Sequence, residues 1–230
     1  ATPTTAKGEE TNWTWSNLPV AIWLVGVLLL GGRSIVGWGR LVASVRRAQP
    51  VPSWVDEEAA GIRGQLNCRS KARILASPQF SSPFLLPGFR PTIVLPESLC
   101  EESRREDLPA VLSHEFAHVK NRDAQWNLVL HLISLVLWFH PLVWRIRLAH
   151  LDGCDRVSDS DSAILLGTID GYCETLAKMA LRISSPVSSF GMAMAGQANI
   201  VTRLDSLLKG GTWGEFRRRH LVVTWLGAIG

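Results

Sequence analysis

Residues 114–118 read His-Glu-Phe-Ala-His, and the chain's most specific chemistry lies there. On an α-helix, side chains four residues apart stand on one face, so His114 and His118 can both present an imidazole nitrogen to one metal ion. Glu115, beside the first histidine, is set to take a proton from a water activated at that ion. Zinc lowers the pKa of such a water to about 7, which supplies hydroxide at neutral pH. The pattern predicts a zinc (Zn2+) peptidase site with His114 and His118 as metal ligands and Glu115 as general base. Its setting, DLPAVLSHEFAHVKNRD, is an amphipathic helix entered from an acidic stretch, the context this chemistry needs. Asp107, at the start of that helix, reads as an N-cap and not as a catalytic group. A catalytic zinc takes three protein ligands and keeps a fourth position open, so one more ligand is required. It should come from the downstream stretch RLAHLDGCDRVSDSDSA.

The elements that must position these groups follow from where apolar residues gather. Residues 1–17 are polar and read as a loop. Residues 18–38, LPVAIWLVGVLLLGGRSIVGW, are apolar on every face and long enough for a transmembrane helix, with Arg33 snorkelling and Trp23 and Trp38 as interfacial anchors. Arg40, Arg46 and Arg47 follow this run, which places its C-terminal side in the cytoplasm. Arg217, Arg218, Arg219 and His220 precede a second apolar run, so residues 218–230 read as the start of a further transmembrane helix. Residues 39–217 then form a cytoplasmic domain. Within it the sequence predicts a short helix over Trp54–Leu66, a strand over Arg73–Ala76 and a β-hairpin about Pro87-Gly88. Prolines 83, 87, 91 and 96 confine the hairpin strands to short or edge positions. Its strands, 84–86 or 93–96, could offer an open edge to an extended substrate, or be structural only. From Leu108 the pattern is helical, with breaks near Asn121, Pro141 and Gly167. The apolar run at 126–144 is flanked by basic residues at both ends, which opposes a simple crossing. It reads as a membrane-associated helical hairpin broken at Pro141, or else as a buried core hairpin. His131 and His140 within it are interfacial or core histidines.

Composition agrees. Of 230 residues, 47% are hydrophobic and 19% charged, with mean hydropathy +0.13, and the apolar residues are concentrated in blocks. Cys68, Cys100, Cys154 and Cys173 have neither zinc-finger nor redox spacing, and in a chain this long they fit reduced thiols of a cytoplasmic compartment. The net charge of +4 belongs mainly to membrane-flanking basic residues, and no nucleic-acid motif accompanies it. The chain starts at Ala1 and stops inside an apolar run, and reads as a piece of a longer protein.

Three stretches carry a family resemblance: PFLLPGFRPTIVLPESL before the site, LSHEFAHVKNRDAQWNLV at it and WFHPLVWRIRLAHLDGCD after it. YCETLAKMAL, followed by a helix ending in RLDSLL, adds to it. Over roughly residues 70–210 the chain resembles the membrane metallopeptidases of the bacterial beta-lactam sensor-transducers, the BlaR/MecR type. The resemblance implies a mainly α fold with a small β-sheet (α+β), gluzincin-like, attached to transmembrane helices of the bacterial inner membrane. It also implies a third ligand from a Glu-x-x-Cys-Asp motif on a later helix. Two registers compete. Matching Cys154-Asp155 puts Leu151 at the Glu position and leaves no ligand. Shifting one turn puts Asp155 at the Glu position, Ser158 at the Cys and Asp159 at the final Asp. The second register retains a carboxylate and is favoured, with His150 and Asp152 as fallback ligands. Asp159 would then hydrogen-bond a ligand imidazole from behind, or belong to a solvated acidic face with Asp161. Asp123 has the same status.

By resemblance, the substrate would be a protein or peptide: a cytoplasmic regulatory protein such as a repressor, or the chain itself, cleaved in signal transduction. The lipid bilayer is the other partner, and self-association as a homodimer is left open. The alternative is a non-catalytic membrane signalling module that keeps a degenerate peptidase fold. The Asp in place of Glu is its main support, and the intact Glu115 counts against it.

Overall fold

The structure, a computed structural model, describes residues 17–183 apart from 89 and 168. The polar loop at 1–16, the RLDSLL helix and the second apolar run lie outside the described residues.

Helix α1, Leu18–Val45, has 28 residues, about 42 Å at 1.5 Å per residue, more than the roughly 30 Å of a bilayer core. Among the described residues it is the one helix long and apolar enough to cross a membrane, and its apolar stretch is not buried against the rest. It runs seven residues past Trp38, where the apolar run stops. Polarity ends a membrane span, but it does not end a helix, and nothing in GRLVASV breaks one.

Strand β1 (Gln49–Pro50), helix α2 (Ser53–Gln65) and strands β2 (Arg73–Ser77), β3 (Phe84–Leu86) and β4 (Thr92–Pro96) follow. The sheet order is β1-β2-β4-β3. β3 and β4 form the expected antiparallel hairpin, and β2 pairs parallel to β4, with Ile74 opposite Ile93 and Leu75 opposite Val94. Strand alternation divides the apolar residues between two faces. Ile74, Ala76, Ile93 and Leu95 face α2 and the next helix in the main core, together with Val55, Ile62, Leu112 and Phe116. Leu75 and Val94 face the other way, onto Leu41 and Val45 at the end of α1. The sheet is thereby clamped between the N-terminal helix and the domain core. Proline confines β3 to the edge as expected, but β4 is interior, so residues 93–96 are not an open edge. Pro96 stands at the last position of β4, where a missing donor costs least.

Two short 3-10 turns, Glu97–Cys100 and Glu102–Arg104, lead into helix α3, Leu108–Asn121. Asp107 occupies the N-cap position, yet its carboxylate does not cap the helix and instead pairs with Arg104 at 3.2 Å. Leu108, Val111, Leu112, Phe116 and Val119 form the core stripe of α3. Fully burying each such side chain contributes roughly 1.5–3 kcal/mol, which fixes the rotation of the helix and turns His114 and His118 the other way.

α3 ends at Arg122, which has φ 60° in the left-handed region, and α4 (Asp123–Val136) begins at once. The chain turns at Leu137–His140 and returns as α5, Pro141–Leu166. The helical break expected near Pro141 is present, and Pro141 itself opens the second helix. At the first turn its missing N–H costs nothing, and the His140 ring caps α5 by accepting from the Leu142 N–H at 3.3 Å. α4 and the first half of α5 form a hairpin with an apolar outer face. Trp126, Leu132, Phe139, Leu142 and Leu148 are all exposed, so this is not a buried core hairpin. It lies along α1. Trp23 donates to the Val136 carbonyl at 2.8 Å, and His131 Nε2 is 3.1 Å from Ser34 Oγ. A side chain at Gly26 would run into the Trp138 indole. α5 ends at Gly167, φ 74°, and α6 covers Ile169–Ile183.

Candidate metal centre

α3 and α5 pack closely because small residues line both. Ser113 and Ala117 on α3, and Ser158 and Ser162 on α5, are completely buried. The serine hydroxyls that would otherwise be orphaned are satisfied locally: Ser113 donates to the Ala110 carbonyl at 3.0 Å and Ser162 to the Ser158 carbonyl at 2.7 Å. This approach sets the acidic residues of α5 against the histidines of α3.

His114 Nε2 and His118 Nε2 are 3.1 Å apart, and Asp155 Oδ1 is 3.5 Å from His118 Nε2. The three ligand atoms lie within 4.8 Å of one another, and they form the one such metal-competent group among the described residues. With zinc–ligand distances of about 2.0–2.2 Å, tetrahedral donors stand about 3.3–3.6 Å apart, close to both of these spacings.

The far side of each ring is held by a carboxylate. His114 Nδ1 is 3.0 Å from Asp159 Oδ1, and His118 Nδ1 is 2.7 Å from Asp123 Oδ2 and 3.0 Å from Ser158 Oγ. Assigning each Nδ1 proton to its carboxylate leaves two Nε2 lone pairs converging on one point, an arrangement that calls for a cation or a proton between them. Burial alone would lower the pKa of His118. The hydrogen bond with Asp123 and the charges of Glu115, Asp123 and Asp155 outweigh burial and hold it above the ordinary imidazole value. The donor set is therefore electrostatically prepared for positive charge.

Asp155 joins the two histidines, as the shifted register implies. The fallback residues do not. Asp152 is half-buried and pairs with Arg156 at 2.9 Å, and His150 lies 3.4 Å from Cys154 Sγ. Leu151 is exposed. Asp159, only 1% exposed, cannot belong to a solvated acidic face. Asp161, which does, pairs with Lys120 at 3.4 Å. Glu115, next to His114 in the sequence of α3, is buried, and its charge acts on His118.

Two carboxylate partners come from outside the motif. The phenol of Tyr172 on α6 donates to Asp159 Oδ1 at 2.7 Å and stands 3.2 Å from His114 Nδ1. The buried Cys154 thiol is hydrogen-bonded to Asp123, and burial together with that carboxylate pushes its pKa up to about 12, so it remains a neutral donor. Sequence reasoning did not single out Tyr172 as a site residue. The available signal was its rarity: it is the chain's single tyrosine, and a buried tyrosine needs a partner for its hydroxyl.

The sequence profile of the BlaR1 peptidase M56 family matches residues 1–207. Among curated proteins, the regulatory protein BlaR1 of Bacillus licheniformis is 35% identical over 80 residues, covering 35% of this chain and 13% of that protein. The methicillin resistance mecR1 proteins of Staphylococcus aureus and Staphylococcus epidermidis are 22% identical over 184 residues, 79% of this chain and 31% of each relative. The chain thus spans less than a third of the curated relatives it matches.

Proposed function

Given that the chain belongs to the BlaR1 peptidase M56 family and carries its metallopeptidase-type domain, we propose that it is a membrane-bound zinc endopeptidase acting in signal transduction. The observation that carries this reading is the convergence of His114, His118 and Asp155 beside Glu115. These three residues would hold the zinc, and the metal would supply the Lewis acidity that polarises a scissile carbonyl and acidifies the attacking water. Glu115 takes the proton from that water and delivers it to the leaving amine. Asp159 and Asp123 keep the imidazole rings oriented with Nε2 toward the metal. β3, which lies against α3 and has no strand on its outer side among the described residues, offers an edge for an extended peptide.

The substrate in this reading is a cytoplasmic regulatory protein, such as a repressor, or the chain itself. One relative is named a regulatory protein, which agrees with that class. α1 spans the bacterial inner membrane, the α4–α5 hairpin rests in the same lipid, and a further crossing at 218–230 makes the protein multi-pass, with the peptidase on the cytoplasmic side. The test is Glu115→Gln. It should lower proteolysis by about 100-fold or more while zinc content stays at the wild-type level. Cleavage at the wild-type rate by this variant would remove Glu115 from the chemistry and favour the non-catalytic module.

A further inference from the structure

We infer that Tyr172 is a positioning residue through which the docking of α6 sets the geometry of the metal centre. This regulation rests on the metal-centre reading above.

The phenol oxygen, Asp159 Oδ1 and His114 Nδ1 form a closed triangle with sides of 2.7, 3.0 and 3.2 Å. Tyr172 and Asp159 are each only 1% exposed. A carboxylate removed from water in this way must be satisfied by protein donors, and the phenol is one of them. The ring is anchored in a small cluster of its own. Tyr172, Cys173 and Leu176 of α6 pack on Ala110 of α3 and Ala163 of α5, apart from the main core. Ala110 is one helical turn before His114, so α6 docks on the face of α3 that carries the ligands. Ala163 is likewise one turn beyond Asp159. The alanines let α6 approach far enough for the phenol to reach Asp159.

Among the described side chains, α6 docks through this satellite cluster, and it supplies a hydrogen bond to the group that orients a metal ligand. It follows Gly167, whose positive φ ends α5, and in sequence it is the last described element before the basic residues 217–219 and the apolar run beyond them. Undocking would take the phenol from Asp159 and loosen the His114 ring. Coupling is reciprocal, so zinc held at the centre must also favour docked α6.

The experiment uses the full chain in detergent micelles. Zinc affinity is measured by competition, the cobalt-substituted centre by its visible spectrum, and α6 by backbone hydrogen exchange with and without zinc. Tyr172→Phe retains the ring in its cluster and removes only the hydroxyl. It should weaken zinc binding about 10- to 100-fold, the range for losing a partner of a ligand, and shift the cobalt bands. Zinc should slow exchange in α6 of the wild type and do so less in the variant. Leu176→Ala, which loosens docking while keeping the hydroxyl, should weaken zinc binding as well. Wild-type affinity and cobalt spectrum in Tyr172→Phe, or α6 exchange indifferent to zinc in the wild type, would overturn the inference and leave the metal centre standing. A wild-type chain that takes up no zinc would overturn the metal-centre reading and this inference with it.

Discussion

His118 is pulled toward two protonation states. Three carboxylates, on Asp123, Glu115 and Asp155, favour its protonated form and raise its pKa against the pull of burial, while a metal needs the bare Nε2 lone pair. In the metal-free protein the charged imidazole contributes stability that is fully present below the unfolded value near 6.5 and is lost as pH rises through the raised folded value. Zinc competes with that same proton. Its affinity should therefore fall as pH drops through the raised pKa of His118, by up to about tenfold per pH unit for each proton displaced. Thermal unfolding with and without zinc between pH 8 and 6 measures this, and a zinc-induced rise in Tm that does not shrink toward pH 6 would contradict it. At this scale the sequence was partly legible. His114, Glu115 and His118 need only helical periodicity. Asp123 does not follow from it, because five residues after His118 a continuous helix would point it about 140° away. Only the left-handed Arg122 brings it back to the ring. Tyr172 was not legible for another reason: its contact with His114 spans 58 positions.

α1 and the α4–α5 hairpin decide where the site sits relative to lipid. Their apolar faces are exposed together and held to each other by Trp23, Ser34, His131 and Trp138. In the proposed topology the charge that orients the apolar run lies just past its end at Trp38, at Arg40, Arg46 and Arg47, and would put α2 and the peptidase domain in the cytoplasm. A cysteine in place of the exposed Ala60 on α2 should resist an impermeant thiol reagent in intact cells and react once the cells are opened. Labelling from outside would reverse the proposed topology. Most helix boundaries were readable from proline, glycine and apolar period: α2, the start of α3 and the Gly167 stop all fall where the sequence put them. β1 was not readable, since its two residues carry no period, and its pairing with Leu75 and Ala76 is decided by the rest of the sheet.

At the scale of the molecule, one layout serves two surroundings. The sheet ties the end of α1 to the main core, the core stripe of α3 turns the ligand histidines toward α5, and α5 carries Asp155 and Asp159 back from the apolar hairpin to meet them. The resemblance supplied the motif on α5, and the structure places Asp155 with the two histidines while Asp152 pairs with Arg156. Asp is one methylene shorter than Glu, so the helices must approach closely, and Ser158 and Ala117 are small and completely buried. Zinc titration of the wild type beside Asp155→Ala and Asp152→Ala tests whether Asp155 closes the metal centre. We expect one zinc per chain in the wild type, a loss of affinity of at least about 100-fold in Asp155→Ala, beyond that of an outer partner, and near wild-type binding in Asp152→Ala. Wild-type affinity in Asp155→Ala, with the loss in Asp152→Ala instead, would contradict it.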